Sequence, residues 1–267
     1  MRILVTGGAG FIGSHVIKKL LQQKENVVFN IDKMGYASNP YILDDLKKQN
    51  SSISTNQYKF LNIDLASKTD TEKAVEEAKP NLIMHLAAES HVDRSIDGPE
   101  EFIKSNIVGT FNLLESARKF WSTLNSDDKK NFRFHHISTD EVFGSLEELG
   151  SFSEETPYDP RSPYSASKAS SDHLVKAWFH TYKLPIVLTN CSNNYGPLQF
   201  PEKLIPLVIF KAFQNEKIPI YGDGLNIRDW LFIDDHVEAL LLVAEKGMVG
   251  ESSVSYTHLR AHETSNH

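Results

Sequence analysis

The sequence predicts an α/β protein built on a doubly wound parallel sheet, and three observations support this class. Short apolar runs alternate with longer amphipathic segments along most of the 267 residues. The runs are almost continuously hydrophobic, as strands are when both faces of their sheet are covered. A glycine-rich turn lies between the first apolar run and the first amphipathic segment. Together these features are typical of parallel strands joined by crossover helices.

The elements follow from periodicity and composition. Strands are predicted for the apolar runs at 2–6, 26–32, 58–64, 81–87, 132–138 and 185–190. Helices are predicted for the amphipathic segments at 11–23, 69–78, 99–121 and 165–182. The polar stretches 47–57 and 122–131 predict surface loops, and the Gly-, Pro- and Asn-rich stretches 193–206 and 220–230 predict a smaller C-terminal lobe.

The bulk properties exclude several classes of protein. The formal net charge of −7 argues against a nucleic-acid or anionic-membrane partner. No apolar run reaches the roughly 18 residues of a membrane span, and the N-terminus enters a strand without room for a signal peptide. Cys191 is the single cysteine, so no internal disulfide can form. The sequence therefore predicts a cytoplasmic protein.

The glycine-rich turn predicts a dinucleotide site. Gly7, Gly10 and Gly13 follow the first strand and open the first helix. Such a turn lets the backbone approach a pyrophosphate, and the helix N-terminus offers free N–H groups and a positive dipole end. This context on both sides of the glycines predicts a Rossmann-type fold.

The end of the second predicted strand bears on cofactor choice. Asp32 lies about twenty residues after the glycines, where a carboxylate can accept both ribose hydroxyls of an adenosine. Its charge repels a 2′-phosphate, which favours NAD over NADP. Lys33 follows directly, and an adjacent cation would soften that preference. A tight turn with an incidental acid is the alternative interpretation.

A tyrosine and a lysine four residues apart predict a catalytic base. Tyr164 and Lys168 share one face of a predicted helix. A tyrosine has a pKa of about 10, and a neighbouring ammonium stabilises the phenolate towards neutral pH. Alone, the pair is common on helix surfaces. With the glycine turn it resembles the extended short-chain dehydrogenase/reductase superfamily, where NAD takes a hydride and a Ser or Thr at the position of Thr139 holds the hydroxyl.

Two adjacent acids follow that threonine. Asp140 and Glu141 come directly after the strand that ends "HHIST". Elimination of water needs a base that takes a proton from carbon and an acid that protonates the departing hydroxyl. Two solvated loop acids are the alternative interpretation, so this pair alone leaves the choice open.

Several longer motifs carry a family resemblance. They occur in order over residues 1 to 250 and read "MRILVTGGAGFIGSH", "LAAESHVDRS", "NIVGTFNLLE", "HISTDEVFG", "SPYSASKASSDHLV", "NNYGPLQFPEKLIPL" and "GDGLNIRDWLFIDDH". With these motifs the chain resembles the dTDP-glucose 4,6-dehydratase family. The acid pair separates that family from the related sugar-nucleotide 4-epimerases.

The resemblance implies a division of roles. Tyr164, helped by Lys168 and Thr139, deprotonates the C4 hydroxyl of glucose while NAD takes the C4 hydride. Glu141 then removes the C5 proton, Asp140 protonates the departing C6 hydroxyl, and the hydride returns to C6. The implied NAD contacts are Gly7, Gly10, Phe11, Ile12, Gly13, Asp32, Asp64, Leu65, Ala87, Ala88, Tyr164, Lys168 and Asn194. The implied substrate contacts are Ser90, Thr139, Asn193, Lys203, Tyr221 and Arg228.

The resemblance also implies an organisation. An NAD-binding Rossmann domain is expected over 1–192, and a partial substrate lobe over 193–251, with some segments returning to the first domain. We expect the lobe to be truncated, with a tail at 252–267 that matches nothing in the family and packs poorly. Family members are usually homodimers through helices at about 99–121 and 164–182.

Alternatives remain at this stage. A 4-epimerase shares the fold, but the acid pair argues against it. A non-catalytic NAD-binding protein would keep the glycines and lose the Tyr and Lys. The sequence does not separate a dTDP sugar from a UDP sugar. His258 and His262 lie four apart without a third ligand, so no metal site is expected.

Overall fold

The structure is a computed structural model, and it describes residues 1–39, 41, 56–146, 150–220, 224–225 and 227–255. Most of the predicted loop 47–57 lies outside these residues, as do Tyr221, His258 and His262.

A seven-stranded parallel sheet forms the centre of the molecule. In chain order its strands are β1 (Arg2–Thr6), β2 (Val27–Asp32), β3 (Tyr58–Asn62), β4 (Leu82–His85), β5 (Arg133–Thr139), β6 (Ile186–Cys191) and, after the lobe strands named below, β9 (Ser252–Val254). The order across the sheet is β3-β2-β1-β4-β5-β6-β9. The strand order therefore reverses between β1 and β4. This leaves a crevice between the carboxyl ends of these two strands, where doubly wound sheets bind their ligands.

Helices cover both faces of the sheet. The described ones are α1 (Phe11–Leu20), α2 (Lys68–Ala78), α3 (Val92–Asp97), α4 (Pro99–Phe102), α5 (Gly109–Thr123), α6 (Ser126–Asn131), α7 (Pro163–Tyr182), α8 (Leu204–Phe213) and α9 (Ile233–Lys246). A π-helical segment (Ile103–Val108) joins α4 to α5, and a 3₁₀ helix (Asp140–Phe143) follows β5.

Alternating side chains of the strands supply two separate cores, because successive residues of a strand point to opposite faces. Leu4 packs with residues of α2, α5 and α7 on one face. Its neighbours Ile3 and Val5 pack with residues of α1 and α9 on the other. Burial on both faces explains the continuous apolar runs of the sequence.

The six predicted strands and four predicted helices all form, and the fold class is confirmed. The predicted loop 122–131 is wrong in its second half, since Asn125 accepts hydrogen bonds from two backbone N–H groups and starts α6. The predicted helix 99–121 is interrupted by the π-helical segment. Helix α9 and strand β9 were not predicted, and β9 places the first three residues of the predicted tail in the sheet.

The C-terminal lobe is less compact than the sheet domain. Strands β7 (Asn193–Tyr195) and β8 (Trp230–Phe232) form a small parallel pair. Helix α8 has no buried residue, and Phe210 and Phe213 are exposed. The division into domains stays a prediction. None of the described helices combines the length and apolar character that crossing a membrane requires.

Candidate active site

A cavity of about 480 Å³ opens at the carboxyl ends of the central strands and extends to the lobe. It brings together most of the residues that the sequence predicted. Those that line it are Gly7, Gly10, Phe11, Ile12, Gly13, Asp32, Asp64, Leu65, Ala87, Ala88, Ser90, Thr139, Glu141, Tyr164, Lys168, Asn193, Asn194, Lys203 and Arg228. Their individual roles stay predictions.

The backbone of the glycine turn packs closely against its neighbours, with no room for side chains at Gly7 and Gly13. Gly7 has a φ of +72°, and a Cβ there would lie 2.7 Å from the backbone nitrogen of Ala87. A Cβ on Gly13 would lie 2.2 Å from the carbonyl oxygen of Gly7. Helix α1 then begins after Gly10 without a side-chain cap, so its first N–H groups stay available to an anion.

Two side chains of β2 hold this turn in place. Asn30 accepts a hydrogen bond from Gly8 N at 3.0 Å, and Asp32 Oδ2 accepts one from Ala9 N at 3.0 Å. Asn30 was not singled out from the sequence. Its position two residues before Asp32, on the same side of the strand, is the signal that would have found it.

Lys33, the residue that could have weakened a preference for NAD, is already paired. Its Nζ lies 2.7 Å from Glu89 Oε1 and donates to Ser105 Oγ at 2.8 Å. Asn106 bonds both backbone groups of Glu89, which holds that acid beside the lysine. The pairing offsets the charge of Lys33 and leaves Asp32 as the dominant charge near a ribose.

Tyr164 and Lys168 lie on the first turns of α7, where Ser162 caps the helix through a reciprocal bond with Ser165. Both catalytic candidates are buried. Burial, together with the charge of Glu141, raises the pKa of Tyr164 well above its usual value. Lys168 Nζ donates to the carbonyl oxygen of Ile137 at 2.9 Å, and burial lowers its pKa.

The acid pair begins the 3₁₀ helix after β5, and Thr139 bonds to both of its residues. Thr139 Oγ1 accepts from Glu141 N at 3.2 Å and donates to Asp140 Oδ1 at 3.3 Å. Glu141 lines the cavity, whereas Asp140 is not among the described residues that do so. The predicted general base therefore lies on the cavity wall, and the predicted general acid is bonded to Thr139, which also lines the cavity.

Burial raises the pKa values of both acids. Burial and repulsion from Glu141 raise the pKa of Asp140 to about 7. Burial also raises the pKa of Glu141, while the cations of Lys203 and Arg228 act against that rise. A protonated Asp140 beside a Glu141 that two cations help to ionise has the acid–base asymmetry that elimination needs.

The lobe contributes cations to the far end of the cavity. Lys203 Nζ donates to the carbonyl oxygen of Ser90 at 3.3 Å, and Arg228 is exposed with its guanidinium bonded to the carbonyl oxygen of Ile227. Both cations line the cavity. Tyr221, the remaining predicted substrate contact, lies outside the described residues.

Three buried polar atoms test whether the cavity suits a dinucleotide. Ser192 Oγ, Asn194 Oδ1 and Gln199 Oε1 have no hydrogen-bond partner among the residues that the structure describes, and all three residues line the cavity. Buried polar groups are normally paired, so we expect a bound ligand to supply the hydrogen-bond partners of these atoms. With the glycine turn, the uncapped helix and Asp32, they fit NAD along the length of the cavity.

A second group of cavity residues was missed from the sequence. Tyr36 donates to Glu202 Oε1 at 2.9 Å, and the guanidinium of Arg94 lies 3.6 Å from the centre of its ring. These contacts join the loop after β2, which carries Tyr36, to Arg94 on α3 and to Glu202 of the lobe. The residues are far apart in the chain, and no local spacing could have grouped them.

Comparison with known proteins gives consistent similarities. Residues 4–264 match the family model described as GDP-mannose 4,6 dehydratase. The chain is 54% identical over 261 residues to the dTDP-glucose 4,6-dehydratase of Salmonella typhimurium strain LT2, covering 94% of this chain and 71% of that relative.

Solved structures agree. The dTDP-glucose 4,6-dehydratase of Streptomyces venezuelae, crystallised with NAD, superposes with a TM-score of 0.86 at 39% identity, covering 96% of this chain and 75% of the other. The UDP-glucuronic acid 4-epimerase of Bacillus cereus, in complex with NAD, gives a TM-score of 0.82 at 30% identity, with 96% and 77% covered.

Proposed function

Since the chain belongs to the dTDP-glucose 4,6-dehydratase family, we propose how its own residues divide the work of NAD-dependent dehydration. The reaction converts dTDP-glucose to dTDP-4-keto-6-deoxyglucose and water. When bound, NAD accepts the hydride from C4 and returns it to C6, so it is regenerated. The observation that carries the assignment is that Glu141 shares one cavity with Tyr164, Lys168 and Thr139.

Oxidation at C4 is assigned to the residues of β5 and α7. Tyr164 removes the proton of the C4 hydroxyl as general base. Because burial opposes the phenolate, the ammonium of Lys168 has to stabilise it from the same helix face. Thr139 holds the hydroxyl of the sugar, and it can do so while its backbone stays in β5.

Elimination is assigned to the acid pair. A ketone at C4 acidifies the C5 proton, which Glu141 then removes from the cavity wall. Asp140, with a pKa of about 7, holds the proton that the departing C6 hydroxyl needs. We propose that Asp140 donates this proton directly to the hydroxyl, which leaves as water, and that the resulting carboxylate accepts the hydrogen bond from Thr139 Oγ1.

Substrate binding is assigned to the lobe and to the loop after β4. Lys203 and Arg228 face the diphosphate, which suits cations in a chain of net negative charge. Ser90 and Asn193 contact the sugar, and Tyr221 is expected to join them. For the cofactor, the assigned contacts are the glycine turn, Asp32, Asp64, Leu65, Ala87, Ala88 and Asn194.

A homodimer fits the surface of the two long helices. Ile103, Val108, Phe111 and Tyr182 are large apolar residues exposed on the π-helical segment, α5 and α7. Apolar side chains collected in this way are typical of a surface that another chain covers. Phe111→Glu should convert a dimer to a monomer in size-exclusion chromatography. The cytoplasmic location stays a prediction.

The decisive experiment incubates the full chain with NAD and either dTDP-glucose or UDP-glucose. We expect the 4-keto-6-deoxy product from the dTDP sugar. A 4-epimerase would instead release the galactose nucleotide. In the same assay Glu141→Gln, which is nearly isosteric but cannot take a proton, should lower turnover by roughly 10² to 10⁴ and still form reduced nicotinamide. Near-normal turnover in that variant would refute the assignment of Glu141.

A further inference from the structure

A buried carboxylate lies beneath the cavity and has no part in the proposed chemistry. Asp172 follows Lys168 by one turn of α7, and its side chain is fully buried. Burying a charge is costly unless hydrogen bonds and opposite charges compensate it. Here the compensation is extensive, with donors at His136 Nε2 (3.0 Å), Ser138 Oγ (2.8 Å), Tyr158 OH (3.0 Å) and Asn190 Nδ2 (3.4 Å).

These donors surround the strand end that carries the catalytic groups. His136 and Ser138 flank Ile137, and the carbonyl oxygen of Ile137 accepts the hydrogen bond from Lys168 Nζ at 2.9 Å. Asn190 Nδ2 donates to the carbonyl oxygen of the next catalytic residue, Thr139, at 3.0 Å. One carboxylate thus ties together β5, β6 and α7 at the level of the site.

The same carboxylate is the counter-charge of the buried ammonium. Although burial opposes its ionisation, the hydrogen bonds from His136 and Ser138 and the charge of Lys168 hold the pKa of Asp172 below its usual value. Tyr164 lies one turn before Lys168 on the same helix. The titratable groups whose charges act on Lys168 from the packed elements are His85 on β4, His136 on β5, Cys191 on β6 and Asp172 on α7 itself.

Of those groups, Asp172 supplies the negative charge at neutral pH. Burial lowers the pKa values of His85 and His136, and burial raises the pKa of Cys191 to about 12, so these three are neutral. For Lys168, burial lowers the pKa and Asp172 is the largest influence in the opposite direction. The charge of the proposed helper lysine therefore depends on Asp172.

We propose that Asp172 is a positioning residue of the dehydration: from beneath the site it holds Lys168 charged and in place and keeps the end of β5, with Thr139, in register. It touches neither sugar nor cofactor. The inference rests on the proposed function, which gives Lys168 and Thr139 their roles.

Asp172→Asn tests this by removing the charge at nearly constant size. We expect kcat to fall about 10²-fold, the loss that a small misplacement of catalytic groups produces, with KM little changed. The alkaline limb of C4 oxidation, followed as the single-turnover rate of reduced-nicotinamide formation, should move to lower pH, because Lys168 loses its counter-charge. Tyr158→Phe is the matched control: it removes one donor to the same carboxylate but keeps the charge, so its alkaline limb should stay in place.

Two results would overturn the inference. One is an Asp172→Asn enzyme with unchanged kcat and an unmoved alkaline limb. The other is an alkaline limb that moves equally in Tyr158→Phe. If Asp172→Asn fails to fold, as judged by circular dichroism, Ser138→Ala decides: it cuts one link between β5 and the carboxylate, and a normal kcat would refute the role.

Amide hydrogen exchange separates this inference from the proposed function. If the wild-type chain makes no keto sugar, the proposed function fails, but exchange at residues 136–139 still measures how Asp172 holds β5. Asp172→Asn should raise exchange there and leave the rest of the sheet as it was. Unchanged exchange at residues 136–139 would overturn the inference whatever the activity.

Discussion

The sheet side and the lobe side of the cavity are built differently. On the sheet side, the glycine turn, Asp32, Tyr164 and Lys168 are held by backbone contacts and buried side chains. On the lobe side, Arg228 is exposed and α8 buries none of its residues. Groups that perform chemistry need positions accurate to a fraction of an ångström, whereas cations that attract a diphosphate act over longer distances. We therefore expect sheet-side substitutions to change kcat and lobe-side substitutions to change KM.

The largest effect is expected from Tyr164→Phe. The phenyl ring keeps the packing of a buried side chain and loses the hydroxyl that acts as base. No hydride can leave C4 before its hydroxyl proton does, so turnover should fall by about 10⁴ or more, at the upper end for general bases. Stopped-flow absorbance should show no reduced nicotinamide. Formation of reduced nicotinamide at the wild-type rate would mean that another group removes the proton.

A smaller loss, roughly 10²- to 10³-fold, is expected from Asp140→Asn, which cannot supply a proton. In the wild type the protonated fraction of Asp140 falls as pH rises through its pKa of about 7. The elimination step should therefore slow above that pH and be fastest below it. Single-turnover rates measured across pH should show this limb in the wild type and lose it in the Asn variant. A limb that persists in the variant would belong to another residue.

Asp32→Ala tests the cofactor end of the sheet side. The change removes the acceptor for Ala9 N and the charge that repels a 2′-phosphate, so NAD affinity should fall about tenfold or more and NADP discrimination should relax. Titration with both dinucleotides measures this. Glu89→Gln is the companion variant, because it removes the acid that pairs with Lys33 and leaves Asp32 in place. Wild-type protein that binds NADP more tightly than NAD would contradict the ribose assignment.

On the lobe side, Arg228→Gln should raise KM for the nucleotide sugar about tenfold, the usual worth of a charge-assisted hydrogen bond. The change in kcat should be smaller than the rise in KM, because Lys203 still helps to ionise Glu141 when Arg228 is removed. Arg161→Gln is a matched control, since this exposed arginine pairs with Asp159 and does not line the cavity. A fall in kcat larger than the rise in KM would place Arg228 with the chemical groups.

The two sides of the cavity also differ in how many of their residues could be predicted from the sequence. Glycines between a strand and a helix, and a Tyr and Lys one turn apart, are local patterns whose geometry follows from the element that carries them. Asp172 has the same one-turn spacing from Lys168, but its partners on β5 and β6 come from the fold. The pairing of Lys33 with Glu89 likewise joins two loops. Asp140 and Glu141 were grouped by adjacency in the sequence, but their shifted pKa values follow from burial and, for Glu141, from the lobe cations, which only the fold brings together.

The smallest effect is expected where the lobe exposes apolar surface. Phe213 on α8 is 86% exposed, whereas Phe134 on β5 is fully buried. Phe134→Ala should lower the free energy of unfolding by about 3–5 kcal/mol through the cavity it leaves. Phe213→Ala should change it by no more than about 0.5 kcal/mol, because the ring has little packing to lose. Urea denaturation measures both, and light scattering should show less self-association for Phe213→Ala, since an exposed ring favours it. A large loss of stability in Phe213→Ala would mean that α8 is packed against the rest of the molecule, and the contrast between the two sides of the cavity would then fail.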